Sequence, residues 1–173
     1  MPVEVRAAAS LAIADATHAL LAARLSPGAV VALYSAKGSE VDTAWIDSAA
    51  RAQGWWVAYP RVSGHARSLT FHAVRLDELT PSRFGLREPS ADAAVVGVDE
   101  IAAFVVPGLA FDRDGGRIGW GRGHYDATFA AAPAVALRVG LAFECQLIEH
   151  VVHEPHDVAL HIIITEVATH LVV

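Results

Sequence analysis

The sequence predicts an α/β fold built on a mostly parallel sheet. Patterns with helical spacing alternate with short apolar runs along the chain, which favours parallel strands joined by helices. Several of those runs are apolar throughout, as in strands buried on both faces. One of them, residues 104–106, feeds a loop with five of the 13 glycines between Gly115 and Gly123. A breaker-free stretch at 125–132 follows, giving strand, loop and helix in succession.

In order, residues 3–25 contain no glycine or proline and are rich in alanine, predicting a helix. Leu11, Ala14, His18, Leu21 and Leu25 form its apolar stripe, on which His18 reads as a packed histidine, not a ligand. Ser26-Pro27-Gly28 stops it. Residues 29–34 predict a buried strand, and Asp42 or Thr43 caps a helix over 44–53. Residues 55–59 predict a second strand, closed by Pro60. In 68–74, Leu69, Phe71 and Ala73 alternate with Thr70 and His72, a half-buried strand. Pro81, Gly85, Pro89 and Gly97 predict loops between 75 and 99. Residues 104–106 are the central strand, with further strands at 135–143 and 161–165. Ligands of such sheets bind beyond the carboxyl ends of strands, so the loops at 35–42, 60–67 and 108–124 are expected to line one cleft.

A chain of 173 residues suits a single domain spanning 1–173. With 54% apolar and 18% charged residues it is not disordered, and a net charge of −6 excludes nucleic-acid binding by a general basic surface. Cys145 is the only cysteine, which rules out an internal disulfide; it reads as a small buried hydrophobe. No run of 18 apolar residues predicts a membrane span. Glu4 and Asp15 interrupt the alanine-rich start and Arg6 makes a weak basic region, so a signal peptide is not expected and the protein reads as cytoplasmic.

The loop carries the chemistry. Gly119, Gly121 and Gly123 alternate, freeing the backbone to take positive φ and approach a ligand. Arg117 and Arg122 add permanent cations suited to phosphate oxygens. Neither standard phosphate motif fits. His124 stands where a dinucleotide fingerprint needs glycine, and the only lysine, Lys37, precedes Gly38 and not Ser or Thr.

Pro107-Gly108-Leu109-Ala110-Phe111-Asp112, then Gly115 to Asp126 with Arg117, Ile118, Gly119, Gly121, Gly123 and Tyr125, closely resembles the signature of the 5-formyltetrahydrofolate cyclo-ligase (methenyltetrahydrofolate synthetase) family. His124 replaces the family's usual aromatic and Ile118 its usual leucine. The resemblance covers most of the chain after residue 28. It implies a Rossmann-like three-layer sandwich, with a mostly parallel central sheet flanked by helices. It also implies ATP- and Mg2+-dependent cyclisation of 5-formyltetrahydrofolate to 5,10-methenyltetrahydrofolate. The alternative is a member without ligase activity that only binds folate or nucleotide. By resemblance, Ser35 and Glu40 bind folate, and Arg6, Arg117, Ile118, Gly119, Trp120, Gly121, Arg122, Gly123, His124 and Tyr125 bind ATP. Arg122 and Tyr125 are the catalytic pair, and Asp126 and Asp157 hold magnesium. Read from the residues alone, Glu40 and Asp157 are loop acids. The implied partners are a reduced folate and ATP, with no nucleic acid and no membrane, for a monomer.

Two features stand apart. The family's first helix usually carries a lysine and an arginine four positions apart that reach the ATP phosphates; here Arg6 takes the arginine's place, but Pro2 stands four residues before it. His150, His153 and His156 are spaced for one helical face and for zinc, but Pro155 breaks such a helix, and zinc is not expected.

Overall fold

The computed structural model describes residues 1–62 and 67–172. The alanine-rich start forms α1 (Val3–Ala22), whose inner face carries Ala9, Ile13, Ala14, Thr17 and Leu21. Apolar residues lie on every side of this helix, so composition does not mark its inner face: Leu11, expected inside, is exposed, while Ile13 is fully buried. His18 packs beside Trp55, ring centroids 6.0 Å apart. By length and composition α1 would pass as a membrane span, but its inner face joins a core shared with α2 and the sheet.

Strand β1 (Val30–Ala32) leads to α2 (Ala44–Ala52), and the Asp42 carboxylate accepts the Ala44 amide at 2.9 Å to cap it. The Thr43 hydroxyl instead donates to the Tyr34 carbonyl at 2.7 Å. Strands β2 (Trp56–Arg61) and β3 (Thr70–Ala73) follow, then a small hairpin of β4 (Thr80–Pro81) and β5 (Arg87–Glu88), and β6 (Val95–Val96). The central β7 (Ile101–Val106) is succeeded by the antiparallel pair β8 (Ala110–Phe111) and β9 (Arg117–Ile118), and by α3 (His124–Phe129). Strands β10 (Leu137–Leu141), β11 (Ile162–Ile164) and β12 (Thr169–Leu171) complete the chain.

The eight-stranded sheet has the order β12-β11-β10-β7-β1-β2-β3-β6. Its inner five strands, β11 to β2, pair in parallel, and β12, β3 and β6 add antiparallel margins. Consecutive strand residues divide between two cores. Val31 and Val105 face the α1 and α2 side, whereas Ala32 and Phe104 face Phe71, Phe111 and Phe129. Phe104 packs edge-on against both Phe71 and Phe129, at 5.6 and 5.5 Å. The expected parallel core covered on both faces is therefore present.

Four local expectations fail for identifiable reasons. Pro60 lies inside β2 and pairs with Phe71, because β1 pairs only with 56–58 and leaves that side of β2 without a ladder to break. His72 is buried, its Nδ1 2.9 Å from the Ala93 carbonyl, so β3 is covered on both faces. Cys145 is exposed, on the turn after β10. The helix after the glycine loop ends at Phe129, three residues early.

From β1 the chain goes to β2 on one side, and from β7 to β10 and β11 on the other. The loops leaving β1 and β7 diverge there and open a crevice at the strand ends.

Candidate functional site

A cleft of about 980 Å³ occupies that crevice. Tyr34, Ser35, Lys37 and Glu40 come from the loop after β1, Pro60 and Val62 from the end of β2, and Gly108 and 117–126 from the loop after β7. The three expected loops do meet, although residues 63–66 of the second lie outside the described residues. The segment from Val151 to Asp157 supplies a fourth wall.

Glu40 is held by its own turn. Its Oε2 accepts the Lys37 amide at 2.8 Å, and its amide donates back to the Lys37 carbonyl at 3.2 Å, around Gly38 at φ 63°. Burial raises the Glu40 carboxyl above its ordinary range, and hydrogen bonds from the Lys37 amide and the Trp120 side chain offset part of that rise. Tyr34 fixes the base of the loop, its hydroxyl donating to the Val41 carbonyl at 2.7 Å. Ser35 lies half-buried beside it on the cleft wall.

Across the cleft, Gly121 and Gly123 have φ of 73° and 62°, the conformation expected of a ligand-cradling loop. Gly119 serves another purpose, since a Cβ there would come within 2.9 Å of Arg117 Nη1. The Arg117 guanidinium is nearly buried, 5.2 Å above the Tyr125 ring, with Nη2 3.4 Å from Asp126 Oδ2. Its Nε is buried and has no hydrogen-bond partner among the described residues. Arg122, Ile118 and Trp120 are exposed along the cleft, and Lys37 Nζ sits 5.9 Å from the Trp120 ring centroid. His124 Nδ1 lies 2.6 Å from the Arg67 carbonyl. Burial pushes the Tyr125 hydroxyl well above its ordinary range, so it stays protonated. The helix that follows the loop, α3, is only six residues long.

Asp126 and Asp157 approach from adjoining segments. Asp126 Oδ1 accepts the amide of Val158, the residue after Asp157, at 3.2 Å, and Asp157 Oδ2 accepts the Glu154 amide at 2.8 Å. Both acids line the cleft. Arg6 comes in from α1, its Nη1 donating to the Gly38 carbonyl at 3.4 Å. Sequence reasoning missed Lys37 as a cleft residue; the signal was a lone lysine in a loop at a strand end. It also missed the wall formed by Val151, Val152, Glu154 and His156, which no local pattern marks.

The model of the 5-formyltetrahydrofolate cyclo-ligase family matches residues 4–166. The chain belongs to that family. It is 36% identical over 112 residues to the 5-formyltetrahydrofolate cyclo-ligase of Mycolicibacterium smegmatis, covering 63% of this chain and 57% of the relative. To the Escherichia coli K12 cyclo-ligase it is 32% identical over 111 residues, covering 63% and 60%. These alignments thus span less than two thirds of the curated relatives' length. The solved structure of Aquifex aeolicus 5,10-methenyltetrahydrofolate synthetase superposes with a TM-score of 0.82 at 25% identity, covering 99% of this chain and 85% of that one. Mycoplasma pneumoniae 5,10-methenyltetrahydrofolate synthetase gives 0.78 at 19% identity, covering 96% and 90%, a likeness of fold alone. The cyclo-ligase match takes in Arg6, the Glu40 turn, the glycine loop and Asp157. It also takes in β6 and the hairpin of β4 and β5, a region expected to be loops.

Proposed function

We propose that the chain cyclises 5-formyltetrahydrofolate to 5,10-methenyltetrahydrofolate while converting ATP to ADP and phosphate. One observation carries this reading: a half-buried carboxylate turn at Glu40 faces a cationic glycine loop at Arg117 and Arg122 across one cleft. The family match and the names of its relatives support it.

Glu40 accepts hydrogen bonds from the adjacent donors of the pterin, with Ser35 beside it. Arg117, Arg122 and the amides of 118–124 receive the ATP phosphates, and Arg6 steadies the Gly38 turn at their edge. Asp126 and Asp157 offer hard carboxylate oxygens on touching segments, a donor set that fits Mg2+. Magnesium bound there neutralises phosphate charge. The formyl oxygen is a poor leaving group. Transfer of the γ-phosphoryl group makes it a good one, the neighbouring folate nitrogen then attacks the formyl carbon and gives up its proton, and the phosphate departs carrying the formyl oxygen and taking up that proton. Arg122 counters charge on the transferring phosphoryl group, and the protonated Tyr125 hydroxyl donates to an oxygen at the reacting centre. The protein's contribution is positioning and charge neutralisation.

Incubating the protein with ATP, magnesium and 5-formyltetrahydrofolate tests this. The methenyl absorbance should rise together with ADP, one for one. Saturable binding of both ligands with no absorbance change would leave only the binding reading.

A further inference from the structure

We infer that Asp112, His150 and His153 form a second metal site, for a zinc-like divalent ion, distinct from the magnesium position at Asp126 and Asp157. The three histidines at 150, 153 and 156 do not act as a helical set. His156 turns towards Glu154, with Nε2 3.4 Å from its Oε2. His150 and His153 instead flank a carboxylate from the other side of the glycine loop. Asp112 Oδ2 lies 3.9 Å from His150 Nδ1 and 3.7 Å from His153 Nε2, and the three donor atoms all fall within 4.8 Å of one another.

Those distances are too long for hydrogen bonds, so neither imidazole is bonded to the acid. They are close to what a metal needs. Tetrahedral zinc with ligands at about 2.0–2.1 Å separates its donor atoms by about 3.4 Å, so the two carboxylate–imidazole contacts must close by roughly half an ångström or less, and the two imidazole nitrogens must also draw together. The histidine side chains are 64% and 37% exposed and are free to turn by that amount. The carboxylate, by contrast, is fully buried and fixed. Its Oδ1 accepts the amides of Asp114 and Gly116 at 3.0 and 2.7 Å, and its Oδ2 accepts the amide of Val151 at 2.7 Å. Val151 lies between the two histidines in sequence, so the strap that carries them is anchored to the acid they face. This is the outer-shell support expected around a ligating carboxylate. Gly116 keeps the space open: a Cβ there would lie 2.7 Å from both Asp112 Oδ2 and His153 Cε1. Two imidazoles and one carboxylate select zinc, cobalt or nickel over magnesium, and three protein ligands leave a position for water.

The site lies at the foot of the strap that carries Asp157, so metal binding there tethers the cleft's fourth wall. The proposal does not depend on the proposed reaction. It is tested on the untagged 173-residue chain by calorimetric titration with Zn2+ alone, and by the visible ligand-field bands of added Co2+. One tight equivalent should bind, apart from any weaker binding at Asp126 and Asp157, with its affinity reduced at least about tenfold in His150→Ala and in His153→Ala. His156→Ala should bind like the unaltered chain. Circular dichroism confirms that each variant is folded, and Asp112, which anchors the turn, is left alone. Absence of saturable binding below about a millimolar, or equal affinity in the His150 and His153 variants, would overturn the assignment.

Discussion

Glu40→Gln separates substrate recognition from folding. In the structure, Glu40 Oε2 accepts the Lys37 amide at 2.8 Å. A glutamine carbonyl can keep that bond, and it removes the cost of holding a charge in a partly buried place. Stability should therefore change by less than about 1 kcal/mol. The folate loses an ionic acceptor, typically about 1.5–3 kcal/mol, or roughly ten- to 150-fold in affinity. The titration behaviour gives a second readout. Burial raises the Glu40 carboxyl above its ordinary value of 4.5, and binding a pterin donor pair favours the ionised form. Wild-type folate affinity should then fall as pH drops through that raised value, with an acid limb lying above pH 4.5. The glutamine variant should bind weakly and lack the limb, while nucleotide binding stays unchanged. Calorimetric titration with 5-formyltetrahydrofolate across pH measures both effects. Equal affinities in the two proteins, or an acid limb that persists in the variant, would refute the role of Glu40.

Other outcomes follow from the opposite wall and from α1. Arg122→Ala should raise the Michaelis constant for ATP at least about tenfold, because its exposed cation lines the cleft where the phosphates are proposed to bind; unchanged ATP kinetics would count against it. Gly123→Ala should cost about 1–2 kcal/mol by denaturant titration, since φ is 62° and no atom of the described residues lies within 4 Å of the added Cβ, so the penalty is mainly backbone; no loss would mean that the loop changes conformation. Pro2→Lys places a lysine one turn before Arg6 and should lower a high Michaelis constant for ATP about tenfold. If the unaltered chain already saturates at micromolar ATP, another cation, with Lys37 the first to examine, supplies that contact.

Much of this architecture is legible in the residues, and the failures share a cause. Strands β7, β10 and β11 announce themselves as apolar runs because both faces are buried, and burial is what sequence patterns record. Strands β6 and β12 span two and three residues, and they exist because a partner strand offers a free edge, which no local pattern reports. Pro60 sits in a strand for a similar reason: the tolerance lies in where β1 stops. At the site, the glycine loop reads from sequence because its residues are contiguous. The facing of Asp112 by His150 and His153 does not, since it joins positions about forty residues apart through a segment that, as Pro155 implies, forms no helix.

The central claim is that this cleft moves a phosphoryl group onto the formyl oxygen. A single turnover with 5-formyltetrahydrofolate labelled with heavy oxygen in the formyl group tests it most directly. If the claim holds, the label appears in inorganic phosphate, in one oxygen per methenyl product formed, and ADP remains unlabelled. Methenyl product accompanied by unlabelled phosphate, or ATP hydrolysis with no transfer of label, would contradict it.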